Sequence, residues 1–205
     1  MNDGTSTARL ETFSDGVFAI AATLLVLELS VGGTVHGDLG RKLLDLWPSY
    51  LAYATSFLTI GIIWVNHHAI FELIGRTDRT LLFVNTVFLL VVAFIPFPTR
   101  LVAHYLTGPD ERDAVLAYDC TLLLMAVLFN VLWRYPRRRL LRPDAPAELV
   151  KAIDRSFAPG VPIYLVVFGV AFASATASVV LTLAAAIFYV PSTWLTRRRE
   201  PRAAA

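Results

Sequence analysis

Few side chains in this sequence could do chemistry, and most of them stand where long apolar runs begin or end. Ser14 and Asp15 open a run that carries no charge until Glu28; Trp64, Asn66, His67 and His68 sit together late in a second run, and Asn85 lies early in a third. A histidine beside an aspartate can relay protons, because imidazole changes charge near physiological pH. The same groups can instead clamp packed helices by hydrogen bonds, with the Trp64 indole N–H held by a neighbour. A metal centre is not supported: His67 and His68 point roughly 100° apart on a helix, and His68 with Glu72 is a single i, i+4 pair. Neither a nucleophile–base pair nor a zinc motif stands at helical spacing, so no enzyme, resident metal or cofactor is expected.

A second pattern lies within the first run. Gly16, Ile20, Thr23, Leu27 and Val31 recur at intervals of four, three, four and four, which places them on one face of a helix. In one reading this face packs against another helix, with Thr23 bonded to its own i−4 carbonyl. In the other, copies of the helix surround an axis. Ile20 and Leu27 then form hydrophobic constrictions that gate by dewetting, and Thr23 supplies a ring of oxygens that replaces part of an ion's water shell. The spacing admits both.

The elements that must position these residues follow from composition. In a chain of 205 residues, 56% hydrophobic content and a mean hydropathy of +0.61 point to an all-α integral membrane protein. A spanning helix needs about 20 mainly apolar residues to cross roughly 30 Å of hydrocarbon. Six segments approach this: 12–31, 47–74, 80–106, 114–134, 158–175 and 178–195. The first lacks the basic n-region and small-residue cleavage site of a secretory signal and is read as mature protein. The breaker cluster Gly32 to Gly37 follows it, and then a polar helical turn from Asp38 to Asp45. Trp47, Pro48, Tyr50 and Tyr53 mark the interface where the second span starts. Arg76 to Arg79 allow only an antiparallel return, and Pro96 and Pro98 should kink the third span. Trp133, Tyr135 and Pro136 close the fourth. Asp144 is expected to cap a short surface helix presenting Leu149, Val150, Ile153 and Phe157 on one side. The last two spans divide near Ser174 to Ser178. Cys120, the single cysteine, rules out an intrachain disulfide.

Six spans put fourteen of the 18 basic residues on one face: Arg9, Arg76, Arg79, Arg134, Arg137, Arg138, Arg139, Arg142, Lys151, Arg155, Arg197, Arg198, Arg199 and Arg202. Arg41, Lys42, Arg100 and Arg112 remain for the other, so the positive-inside bias makes both termini cytoplasmic. Residues 1–196 read as one channel domain and 197–205 as a basic cytoplasmic tail that attracts anionic lipid; no nucleic-acid partner is expected. Aligned by about 1.5 Å of rise per residue, Ser14, Asp15, Trp64, Asn66, His67, His68 and Asn85 fall at one depth and are expected to form one buried polar layer.

The run Phe13, Ser14, Asp15, Gly16, Val17, Phe18, Ala19, Ile20 with Thr23 to Leu27, preceded by Arg9, resembles the Arg-x-x-x-Phe-Ser-Asp signature of the transmembrane protein 175 potassium-channel family. Trp64, Asn66, His67 and His68 also resemble that family, with Gly16 standing where alanine is commoner. The resemblance implies a homotetramer of six-helix subunits, each giving its first helix to the pore, in a bacterial plasma membrane. It carries the pore constriction and selectivity over to Ile20, Thr23 and Leu27, with potassium passing transiently near Thr23. It carries a bracing network over to Arg9, Phe13, Ser14, Asp15, Trp64 and His67 or His68. The function expected is passive, potassium-preferring conduction. The competing reading is a proton-coupled transporter or proton leak using Asp15 with His67 or His68, against which no inverted repeat and no paired broken helices are found.

Overall fold

The computed structural model describes residues 7–30 and 39–197. Val31, the Gly32 to Gly37 cluster, Asp38 and the tail beyond Arg197 lie outside the described residues. The chain runs α1 (Thr7–Leu24), a 3-10 turn (Leu25–Glu28), α2 (Leu39–Asp45), α3 (Trp47–Leu73), α4 (Arg79–Phe94), α5 (Pro96–Tyr105), α6 (Glu111–Arg139), α7 (Ala147–Phe157), α8 (Gly160–Ala171) and α9 (Ala175–Arg197). Among the described residues the only β pairing is an isolated bridge between Ile74 and Leu141. Five helical stretches are long and apolar enough to cross a membrane: Thr7–Glu28, Trp47–Leu73, Arg79–Tyr105, Glu111–Arg139 and Ala147–Ala171. The apolar part of α9, Ala175–Ile187, is shorter.

Several boundaries differ from the sequence expectation, each for a local reason. The first span begins at Thr7 and leaves α-helical geometry at Leu25, three residues before its end at Glu28. The fourth continues through Pro136 to Arg139, since a proline forfeits one helical hydrogen bond without necessarily ending the helix. The fifth is not 158–175. At 12 residues α8 covers only about 18 Å, and it reaches spanning length only when joined to α7 across Ala158 and Pro159. The last turn falls at 172–174 rather than after Ala175, because the Ser174 hydroxyl accepts from the Ala177 N–H at 3.2 Å and starts α9 at once. Asp144 does not cap α7, whose N-cap is Pro146; it pairs with Arg142 at 3.6 Å. The apolar side of α7 is as expected, with Ile153 and Phe157 buried and Leu149 and Val150 packed at the edge of the core.

The proline kink is also as expected. Pro96 offers no N–H to the Val92 carbonyl, which accepts instead from the Ile95 N–H at 3.2 Å. The Ile95 carbonyl keeps its i+4 bond from the Thr99 N–H at 3.1 Å and also accepts from the Thr99 hydroxyl at 2.8 Å. At the end of the bundle holding the Arg76–Arg79 link, Asp78 caps α4 through the Leu81 N–H at 2.8 Å and accepts from the Tyr135 hydroxyl. Gly75 N–H to Leu140 O and Arg142 N–H to Leu73 O close this end, at 2.8 and 2.9 Å. Against this frame α1 packs on α3 and α4, and its distal turn meets α3 and α5.

Candidate functional site

The inward face of α1 consists of Leu10, Ser14, Phe18 and Ala21, continued by Leu25. Ser14 is fully buried and is linked through Asn85 to both neighbouring helices. Asn85 on α4 donates from Nδ2 to Ser14 Oγ at 3.0 Å, which turns Asn85 Oδ1 towards His67 Nε2 on α3 at 2.9 Å. The network therefore assigns His67 as an Nε2–H donor. Ser14 in turn donates to the Leu10 carbonyl at 2.8 Å. Three helices are joined by a chain in which Ser14, Asn85 and His67 each have a hydrogen-bond partner, as buried polar groups require. Aromatic rings enclose the imidazole. Phe71 stacks on it at 4.3 Å and Phe88 lies near parallel at 6.0 Å, while Phe18 approaches edge-on at 5.4 Å.

The expected single buried layer is in fact divided. Ser14, Asn85 and His67 form its buried half, whereas Asp15 and Trp64 meet on the exposed side, where the indole N–H donates to Asp15 Oδ1 at 2.8 Å. The reason is angular: adjacent helical positions diverge by about 100°, so Ser14 and Asp15 cannot both face the core. The same holds for His67 and His68. His68 is exposed and pairs with Glu72 at 3.2 Å. Arg9 and Phe13 are exposed and Asn66 is half-buried; no hydrogen bond joins them to the cluster among the described residues.

The opposite face of α1 is open. Gly16, Ile20, Thr23 and Leu27 are all exposed, Ile20 at 61% and Leu27 at 68%, and nothing lies within 4 Å of where a Gly16 Cβ would stand. The Thr23 hydroxyl donates back to Ala19 O and Ile20 O, at 2.9 and 3.0 Å. Its proton is thus committed to its own helix, and its lone pairs are left to the open side. Below Leu24 the helix tightens. A 3-10 helix turns about 120° per residue against 100° for an α-helix, which advances Leu27 by roughly 60° over three steps without removing it from the open face. Glu28 ends this turn beside Arg100 of α5, at 3.7 Å.

Two further polar contacts were not anticipated. Tyr118 on α6, Ser56 on α3 and Thr99 on α5 form a buried hydroxyl chain, with oxygens 3.0 and 2.8 Å apart, ending on the Ile95 carbonyl. Asp119, also buried, accepts from Ser178 of α9 at 2.6 Å. The sequence signal for Asp119 was its charge within the expected fourth span, 114–134, where an ionisable side chain is costly and needs a partner.

With this geometry in view, known proteins supply the family. The family model described as "Endosomal/lysosomal potassium channel TMEM175" matches residues 9–96. A potassium channel from Chamaesiphon minutus is 45% identical over 188 residues, covering 89% of this chain and 93% of that protein. A potassium channel from Streptomyces collinus is 44% identical over 186 residues, covering 86% of each. The crystal structure of a lysosomal potassium-selective channel TMEM175 homolog from Chamaesiphon minutus matches with a TM-score of 0.81 and 42% identity, covering 91% of this chain and 97% of that one. The inward bonding of α1, the open stripe on its other face and similarity along almost the whole length agree: this chain belongs to the TMEM175 family.

Proposed function

We propose that this chain is a subunit of a passive, potassium-preferring cation channel. Four copies would set the open face of α1 around an axis, Ile20 forming the main constriction, Thr23 a ring of hydroxyl oxygens and Leu27 a second narrow level. The observation that carries this reading is the stripe itself. Gly16, Ile20, Thr23 and Leu27 are exposed while the other side of the helix is bonded into the core, and the stripe's single polar group has its proton satisfied internally. Two relatives named potassium channels, similar over most of their length, support it. The family is one of ion channels, not an enzyme class.

Ser14, Asn85 and His67 are read as the brace of the pore helix, with Asp15 and Trp64 as a second tie; Arg9, Phe13, Asn66 and His68 complete the set beside them. Residues 1–196 form the channel domain and 197–205 a basic tail that attracts anionic lipid. The protein sits in a bacterial plasma membrane with both termini in the cytoplasm.

Subunit stoichiometry in a mild detergent or bilayer tests the arrangement. A tetramer is expected, and a monomer would leave the stripe without copies to form a ring. In reconstituted bilayers the current should reverse near the potassium equilibrium potential. Thr23→Ala should move that reversal towards the value for a pore that treats sodium and potassium alike. Saturating flux that needs a counter-gradient would point to a transporter instead.

A further inference from the structure

The C-terminal third of α6 carries Arg134, Arg137, Arg138 and Arg139, whose environments differ. Arg137 is occupied by Asp154 of α7, with 2.7 Å between guanidinium and carboxylate, and Asp154 also accepts from the Trp133 indole at 2.7 Å. Arg134 and Arg138 are exposed and make no ion pair among the described residues. They stand i, i+4, with Cβ atoms about 5–6 Å apart, on a ridge bordered by two concavities. One, of about 450 Å³, is lined by Val131, Arg134, Tyr135, Arg138 and Arg139. The other, of about 300 Å³, has Arg134 and Arg138 on one side and Asp154 and Phe157 of α7 on the other.

Depth adds a second feature. Leu124, Val127 and Val131 are exposed and precede Arg134 and Arg138 at spacings of three, four, three and four, so all five lie along one face of α6. At about 1.5 Å per residue, the apolar part rises roughly 10 Å to Val131 and the second arginine lies roughly 10 Å further on. Tyr135, half-buried and of a residue type favoured at the membrane interface, follows the first arginine. Two unneutralised guanidinium groups thus sit at headgroup level above an apolar track at acyl-chain level. Like charges one turn apart repel, and a shared phosphate removes that repulsion while matching the planar donor fork of each arginine.

We propose that Arg134 and Arg138 bind the phosphate of an anionic phospholipid whose acyl chain lies along Leu124, Val127 and Val131. This site lies on α6, on residues other than those of the basic tail and of the open face of α1.

The test uses the full-length protein in mild detergent, titrated with phosphatidylglycerol or with phosphatidylcholine of the same chains, with bound lipid counted by native mass spectrometry. Phosphatidylglycerol adducts should outlast phosphatidylcholine adducts. Their occupancy should fall at least about tenfold in R134Q/R138Q and largely survive in R134K/R138K, which keeps both charges. Val131→Trp, which blocks the track and leaves the charges, should also lower occupancy. Equal retention of both lipids, an unchanged phosphatidylglycerol count in R134Q/R138Q, or displacement by millimolar inorganic phosphate would overturn the proposal. The readout does not depend on ion conduction or on which way the protein faces across the membrane.

Discussion

Replacing Ile20 by asparagine is expected to raise conductance in reconstituted bilayers by roughly an order of magnitude, for which the permeation barrier need fall by only about 1.4 kcal/mol. A narrow ring of isoleucine side chains resists ion passage because water leaves it, and an amide at the same place keeps water in. The stability of the subunit should hardly change. Ile20 is 61% exposed and its side chain lies on the face of α1 that turns away from the core, and substitutions at such positions usually stay within about 0.5 kcal/mol. Increased flux with an unaltered melting profile therefore marks a pore position. Unchanged flux would show that this face does not line the path.

Asn85→Leu should have the opposite profile, with lower stability and no direct change in the conducting surface. It strands the His67 Nε2–H inside an aromatic enclosure and removes the donor that Ser14 Oγ receives. An orphaned buried donor costs about 1–3 kcal/mol, which should show as a clear drop in the detergent melting temperature. The double substitution Asn85→Leu with His67→Phe removes the stranded donor as well and places a ring among rings. It should recover much of the loss, because replacing both partners of a buried bond with apolar groups can be nearly neutral. If the double variant melts as low as the single one, the His67–Asn85 bond is not the source of the loss.

The fold was legible where apolar length and punctuation carry the information. Pro96 and Pro98 announced the α4–α5 break, and the Arg76 to Arg79 link the return between α3 and α4. Depth matching brought Ser14, Asn85 and His67 together from three separate runs. It failed at one step of finer angle: depth is shared by Asp15 and Ser14, but direction is not, and the two residues hold different bonds on different sides of α1. The 3-10 turn at Leu25–Glu28 was illegible for a related reason. Hydrophobic spacing does not distinguish i→i+3 from i→i+4 bonding over four residues, and Leu27 stays on the open face in either geometry. Ser56, Thr99 and Tyr118 are unremarkable apart, and they meet because α3, α5 and α6 pack together, which no spacing within one helix announces. Ser174 was a readable start signal, since a serine ahead of an alanine-rich run is a favoured cap. Attention to the small residues after it put the turn a few positions late.

The two faces of α1 also differ in what a substitution on them demands of the rest of the bundle. Ser14, Phe18, Ala21 and Leu25 are held by neighbours on other helices, so a change at any of them must be answered elsewhere in the bundle. Ile20, Thr23 and Leu27 carry no such debt to the fold, since even the Thr23 proton is satisfied by the helix on which it sits. One helix thus keeps a side that maintains the architecture and a side whose residues can be exchanged one at a time without first passing through an unstable protein.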